Sequence, residues 1–378
     1  NATGARRLQA LVARHGHATI VAAMQELLDY TERRARAEVA RLPFGVYEAE
    51  GSVDTDGYTD EPVRLRVRIE ISADGMAFDL AGSDPQRRAP VNSTYAQTFS
   101  ACAYALKCLI DPDLPVNDGF YRLVSLDAPA GSVTNCRWPS PVVGGWETQF
   151  RLVDVIFRAL LPTMPTTLPA GTKAMACHAG FGGVDAATSE YVCFLETFAG
   201  GYGGRHASDG PDAVQVHGQN TENAPVEETE ANYPVRVARL GLVEDSDGAG
   251  RFRGGLGLRK DFLFDRPTTF TVLADRTLSG PAGAFGGLDG KVAEYVLLRG
   301  GVETPLGAKS TVSIEAGDVV SYRTCGGGGY GPPAERDPER VLRDVLEGKV
   351  SVERAREVYR VAIDDRRLDE AATAELRA

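Results

Sequence analysis

The sequence predicts an α+β fold: strand-rich mixed sheets joined by glycine-rich turns, with a helical N-terminal region and C-terminal helices. Three observations carry that expectation. Apolar residues recur at helical spacing at both ends of the chain, "VRLRVRIEIS" alternates strictly with period two, and many of the 42 glycines fall in clusters, "FGGVD", "FAGGYGG", "FRGGLG", "FGGLDG" and "CGGGGYG". No repeat of solenoid or propeller period is present, and strands and helices do not alternate as in a doubly wound sheet.

The first residues, "NATGARRLQALVARHG", predict a helix with Thr3 as its cap, Leu8, Leu11 and Val12 on one face and Gly16 as its stop. A second helix is expected from Thr19 to Arg41, closed by Pro43. These helical faces begin with nothing before them to pack on, which is the pattern of a segment continuing a larger unit. In "VRLRVRIEIS" the residues Val63, Leu65, Val67, Ile69 and Ile71 share one sheet face, and "SADG" turns the chain into a hairpin partner carrying Met76, Phe78 and Leu80. Two further helices are expected. "NSTYAQTFSACAYALKCLI" is rich in small residues that allow close packing, and "WETQFRLVDVIFRALL" sets Glu147 four residues from Arg151 as a supporting pair and ends at Pro162. Strands follow at "EYVCFLETF", "GKVAEYVLLRG" and "DVVSYRT". The chain then returns to helices at "DPERVLRDVLEG", stopped by Gly348, and "SVERAREVYRVAI", capped by Ser351. The domain expectation is a helical segment over 1–42, a mixed catalytic-type region over 43–335 and C-terminal helices over 336–378.

Composition narrows the function. At 378 residues and 43% hydrophobic content the chain can bury a real core, and a formal net charge of −11 argues against nucleic-acid binding, which needs concentrated Lys and Arg. No apolar run is long enough to span a bilayer and no signal peptide opens the chain, so a cytoplasmic location is expected. The six cysteines form no CxxC pair and read as buried, reduced core residues.

Several common motifs are excluded. "CGGGGYG" has no following Lys-Ser/Thr pair and runs into Pro332 and Pro333 where a phosphate loop would start a helix, so ATP binding by this chain is not expected. His15 and His17 lack ligand partners nearby, Cys177 and His178 would point apart on a strand, and no G-x-S-x-G elbow is present. The stretch "HGQNTENAPVEETE" remains. Pro225 suits the first turn of a short helix, where Glu227, Glu228 and Glu230 would stabilise the positive end of the dipole; that is the scaffold reading. The functional reading is that Glu227 and Glu230 share a face, with Glu228 turned away, and that His217, Asn220 and Asn223 precede it beside Arg205, Asp209 and Asp212. Such a set can recognise a small polar amide or support a metal shell. The pattern alone leaves both open.

The string "DGPDAVQVHGQNTENAPVEETEANYPVRV" resembles the hydantoinase B / 5-oxoprolinase family, which includes N-methylhydantoinases and subunits of acetone and acetophenone carboxylases. Further blocks in the same order, among them "LPFGVYEAEG", "APVNSTYAQTFSACAYALKCLIDPDLPVNDGFYRLVSLDAPAGSVTN", "GGWETQFRLVD", "FRGGLGLRKDF" and "CGGGGYGPPAERDPERV", extend the likeness along the chain as the family's C-terminal portion. The resemblance implies a hydantoinase A-like partner that binds ATP and phosphorylates a cyclic amide or carbonyl, after which the B part completes hydrolysis or, in the carboxylases, C–C bond formation. His217, Asn220, Asn223, Glu227 and Glu230 fall on the family's H-x-x-N-x-x-N-x-P-x-E-x-x-E block.

Glu227, His217 and Asn220 are therefore the expected catalytic residues, and Asn223, Glu230, Arg205, Asp209, Asp212 and Glu147 the expected substrate-binding ones. A divalent metal ion is expected on a His/Asp-rich segment outside this chain, within a hetero-oligomer. Two departures bear on the substrate: Trp146 stands where a smaller or polar residue is usual, and His178 where an amide is. The expected activity is ATP-dependent opening of a hydantoin, 5-oxoproline or related lactam. The alternatives are a ketone carboxylase subunit, whose aromatic substrate Trp146 would suit, and a purely structural subunit.

Overall fold

Gly16, with φ of 82°, breaks the opening helical stretch in two: α1 (Ala2–His15) stops there and α2 (His17–Val39) begins on the next residue. The computed structural model describes residues 1–59, 61–184 and 189–378. Asn1, not Thr3, occupies the cap position of α1, and Thr3 lies inside the first turn, where Arg6 donates to its hydroxyl at 3.2 Å. Helix α1 buries no residue and α2 only Thr31, Ala35 and Val39, so Leu8, Leu11, Val21, Met24, Leu27 and Tyr30 stay exposed.

The predicted hairpin forms as β2 (Val63–Ser72) and β3 (Gly75–Asp79), preceded by β1 (Gly45–Val53) on the other side of β2. All five alternating apolar residues of β2 are buried, because period two aims them at one face. Helix α3 (Tyr95–Lys107) starts on Thr94, whose hydroxyl accepts the Gln97 N–H at 3.3 Å. After the short α4 (Asp118–Tyr121), β4 (Val124–Asp127) joins β3 in parallel to complete the sheet. Helix α5 (Gly145–Leu160) packs on β1, β2 and α3, and Ala101, Cys102 and Ala105 of α3 are fully buried in the shared core.

The next strands are β5 (His178–Val184) and β6 (Tyr191–Thr197), then after α6 (Val226–Asn232) come β7 (Val235–Leu242), β8 (Leu258–Phe264) and β9 (Thr268–Leu273). They continue with β10 (Glu294–Arg299), β11 (Val302–Pro305), β12 (Lys309–Ile314) and β13 (Val319–Arg323). Two antiparallel sheets result, ordered β11-β10-β13-β8-β7 and β12-β9-β5-β6. Their inner faces meet through aromatic rings, as in Phe181 edge-on to Phe264 at 5.3 Å and Phe264 to Phe270 at 5.9 Å.

Beside this sandwich the glycine clusters form a layer of their own. Extended segments around 201–204, 248–257, 280–290 and 326–331 bond to one another outside any helix or strand: Gly204 donates to Gly328 at 2.8 Å, Gly327 to Gly255 at 2.8 Å and Gly248 to Gly327 at 2.7 Å. A Cβ on Gly326 would collide with the Ser246 carbonyl, and one on Gly255 with that of Pro211, so this spacing admits no side chain.

The chain ends in α7 (Pro338–Leu346), α8 (Val352–Glu357) capped by Ser351 at 3.1 Å, the short pair β14 (Ile363–Asp364) and β15 (Arg367–Leu368), and α9 (Glu370–Arg377). Gly348, with φ of 68°, follows α7 as predicted, while α8 is shorter than "SVERAREVYRVAI" implied, ending at Glu357 with the last residue of that stretch, Ile363, in β14. The cysteines divide: Cys102, Cys177 and Cys325 are buried, but Cys108 and Cys193 are exposed, since α3 ends at Lys107 and Cys193 lies on the outward face of β6. Among the described residues no helix is long and apolar enough to cross a membrane.

Candidate functional site

Helix α5 is apolar almost all round yet carries Glu147, Arg151 and Asp154 at helical spacing, and all three turn inward. Glu147 and Arg151 do not form the predicted pair. Glu147, 1% exposed, instead accepts the backbone N–H groups of Ala176 at 3.1 Å and Cys177 at 3.2 Å. Arg151 pairs with Asp275 and stands 3.9 Å from Asp54. Asp54 accepts the backbone N–H groups of Leu278 and Ser279, and Lys309 reaches Asp275 at 3.4 Å. Asp154 takes Arg276 at 2.8 Å and the Thr172 N–H at 2.9 Å.

The chain bends sharply around this charged centre. Ala174, Cys177, His217 and Arg276 all adopt positive φ without being glycine, a conformation that costs energy and persists only where the surroundings impose it. Burial pushes the Glu147 carboxyl up to about 7, with Lys309 opposing. Burial likewise lowers the pKa of Lys173, which donates to the Phe198 carbonyl and to Gln215 Oε1.

The segment His217–Ala224 starts against α5 and ends at β6. The His217 ring meets Phe157 edge-on at 5.4 Å, Gly218 sits against Phe150, and Gln219 Nε2 donates to the Ala176 carbonyl at 3.3 Å, beside Glu147. Its far end is tied by the Ala224 N–H to Glu196 at 3.0 Å, and Glu196 is held by buried Lys260 at 2.8 Å. The segment is thus anchored at both ends, with Asn220 and Asn223 exposed between. Three buried polar atoms that lack a partner lie on this segment and on α5: Arg151 Nε, His217 Nδ1 and Gln219 Oε1.

Glu147 and the segment after His217 meet at Ala176, whose N–H bonds to Glu147 and whose carbonyl accepts Gln219 Nε2; Asn220 follows, exposed. Glu227, Glu228 and Glu230 are all exposed on α6, where Thr229 is the buried residue; Glu230 accepts the Val237 N–H at 2.8 Å and so secures the turn into β7. Arg205 is exposed, its guanidinium 5.1 Å from the Tyr202 ring. Asp209 and Asp212 do not converge with the amides. Asp209 pairs with Arg336 and Arg340, each at 2.7 Å, and Asp212 with Arg253 at 2.7 Å and Lys349 at 3.3 Å, which binds the C-terminal helices to the glycine layer. Arg151, Asp154, Thr172, Lys173, Asp275 and Arg276 were not among the predicted site residues. Their one sequence signal was three charges at helical spacing in the apolar "WETQFRLVDVIFRALL".

Chemically, the centre offers an oriented imidazole. His217 Nε2 lies 3.0 Å from Thr172 Oγ1, itself 3.4 Å from Asp154. An ionised Asp154 favours the hydroxyl donating to it, which makes Nε2 the donor and leaves Nδ1 an acceptor. Burial, against the pull of Asp154, lowers His217 to about 4, so the ring is neutral near pH 7. Among the described residues no group of three or more His, Cys, Asp or Glu is placed to hold a metal ion.

Comparison with known proteins adds to this geometry. The family described as hydantoinase B/oxoprolinase matches residues 1–333. An uncharacterized protein of Methanocaldococcus jannaschii is 36% identical, over 99% of this chain and 66% of that protein. The B subunit of a putative D-/L-hydantoinase from Pseudomonas sp. (strain NS671) is 31% identical over 99% of this chain and 65% of its own length. The crystal structure of the ATP-dependent caprolactamase from Pseudomonas jessenii superposes with a TM-score of 0.89 at 27% identity, covering all of this chain and 67% of that one. The chain thus spans about two thirds of the length of each of these three proteins.

Proposed function

The chain belongs to the hydantoinase B/oxoprolinase family, and from that premise we propose that it is the B part of an ATP-dependent hydrolase opening a hydantoin, 5-oxoproline or related lactam. The observation that carries the proposal is the segment His217–Ala224, anchored beside the charged residues of α5 at its start and on Glu196 at its end, within a chain that is similar to the B subunit of a putative hydantoinase and to a caprolactamase over nearly its whole length. In this reading a hydantoinase A-like partner binds ATP and phosphorylates the amide oxygen, which makes the carbonyl carbon electrophilic; water adds there, the ring C–N bond breaks with the nitrogen leaving protonated, and a second water hydrolyses the resulting acyl phosphate to the carboxylate and free phosphate. A divalent ion is held by residues outside this chain.

The chain's own residues then position water and stabilise charge. Neutral His217, aligned by Thr172 and Asp154, holds its Nδ1 lone pair as an acceptor for a proton. The Asn220 amide orients the polar group beside it, and the exposed Glu227 carboxylate takes the proton of the attacking water. The test is phosphate release by the chain assembled with its ATP-binding partner. Release that requires a cyclic amide supports the reading. Release that requires a ketone with bicarbonate would replace it with a carboxylase, and release with neither substrate would leave a structural role.

A further inference from the structure

His217 is the one buried histidine among the five, at 7% exposure, and its ring has two unlike sides. Nδ1 is shielded from water and has no hydrogen-bond partner, while Nε2 lies 3.0 Å from Thr172 Oγ1. Thr172 is itself fully buried, and its hydroxyl lies 3.4 Å from Asp154 Oδ1, which also accepts the Thr172 N–H at 2.9 Å. Asp154, by contrast, is reached by solvent. Its side chain keeps 14% of its surface exposed, and it lines a cavity of about 30 Å³, room for a water or two. Arg158, one turn further along α5 and exposed, borders the same cavity, with residues 169–171 and 282–283 opposite. A hydrogen-bonded line therefore runs from the buried ring to the surface: His217 Nε2, Thr172 Oγ1, Asp154 Oδ1, then the cavity.

We propose that this line is a proton relay through which His217 exchanges protons with solvent, with Asp154 acting through Thr172 as a positioning residue at its outer end. The relay stands on the geometry; its use in turnover rests on the hydrolase reading above. A proton taken up at Nδ1 is matched by one leaving Nε2. The Nε2 proton passes to Thr172 Oγ1, the hydroxyl proton passes to Asp154, and Asp154 releases a proton to water in the cavity. One proton enters and one leaves. The ring ends neutral with its proton on Nδ1, and the reverse steps reset it. Burial works against charge on Asp154, but Arg276 at 2.8 Å holds its carboxyl below the ordinary value, so the resting relay has an acceptor at its outer end. Burial also lowers His217 to about 4, which makes the imidazolium acidic enough to give up its proton.

The test is solvent exchange of the His217 ring proton in the full chain, followed by nitrogen-15 NMR on histidine-labelled protein, on whichever nitrogen the proton sits. Thr172→Val removes the middle carrier and is expected to slow the exchange at least about tenfold, whereas Thr172→Ser keeps it. A hydroxyl that only held the ring in place predicts the opposite, because its loss loosens the packing and exchange through local opening speeds up. Asp154→Asn is expected to slow the exchange as well, since a carboxamide does not take up the proton as a carboxylate does. Exchange in Thr172→Val as fast as in the wild type, or faster, overturns the proposal. The two readings fail separately. Slowed exchange without amide-dependent phosphate release keeps the relay and removes the hydrolase, whereas amide-dependent release with unslowed exchange removes the relay and keeps the hydrolase.

Discussion

His217 Nε2 and Thr172 Oγ1, on two buried residues, lie 3.0 Å apart, so the threonine hydroxyl partners one ring nitrogen and leaves Nδ1 unpaired. Thr172→Val keeps the shape and removes the hydroxyl, leaving a buried ring nitrogen unpaired. A loss of about 1–3 kcal/mol in stability by urea titration is expected, with turnover down at least about tenfold at unchanged KM. Thr172→Ser should restore both. Full activity in the valine variant would show that the imidazole needs no alignment.

Glu147 and His217 titrate in opposite senses. The Glu147 carboxyl sits at about 7 in the fold against 4.5 for an unperturbed glutamate, so between these values the folded chain holds a proton that the unfolded chain has lost. Its contribution to stability therefore falls, by on the order of 3 kcal/mol, as pH rises through that window. His217 sits at about 4 against 6.5, so its contribution falls as pH drops through its own window. The two partly cancel where they overlap. Glu147→Gln should leave stability that rises with pH up to about 6.5 and is level above it; chemical denaturation at a series of pH values reads this directly. An unaltered profile would mean that Glu147 is ionised throughout.

Glu196 and Lys260 form a buried pair at 2.8 Å whose carboxylate also holds Ala224. Glu196→Leu alone strands the ammonium and is expected to destabilise by about 3–5 kcal/mol; adding Lys260→Met should recover most of that. Turnover should stay low in the double variant, because the far anchor of the His217–Ala224 segment is still missing. Recovery of turnover along with stability would make the anchor irrelevant to chemistry.

On α6 the three glutamates are exposed, so glutamine at Glu227 or Glu228 should change stability by no more than about 0.5 kcal/mol. Glu227→Gln and Asn220→Ala are expected to lower turnover about a hundredfold, with Glu228→Gln near wild type. Glu230→Gln should show a small loss in melting temperature, since Glu230 holds the Val237 N–H. Equal turnover in the three glutamine variants would reduce the helix to scaffold.

Much of the fold was legible because its signals are local. The alternation in β2, Gly16 and Gly348 as helix stops, and Ser351 as a cap each follow from a few neighbouring residues. The charged centre was not legible, because it assembles groups from positions 54, 147, 154, 172, 217 and 275, and no local rule brings these together. Helical spacing suggested that Glu147 would satisfy Arg151, yet burial against backbone N–H groups and distant aspartates outweighed that near neighbour. Asp209 and Asp212 show the reverse difficulty: they sit close in sequence to the family block but pair with arginines and a lysine far along the chain.

The glycine layer separates two quantities that usually travel together. Its amides bond to carbonyls of neighbouring segments, yet its backbone belongs to no helix and no sheet. Far-ultraviolet circular dichroism would count these residues as coil. Deuterium exchange would count them among the slowest, because amides such as those of Gly204, Gly248 and Gly327 open only when packed segments part. A spectroscopist comparing the two methods on this protein would find more order by exchange than by dichroism, and the excess would map onto the glycines.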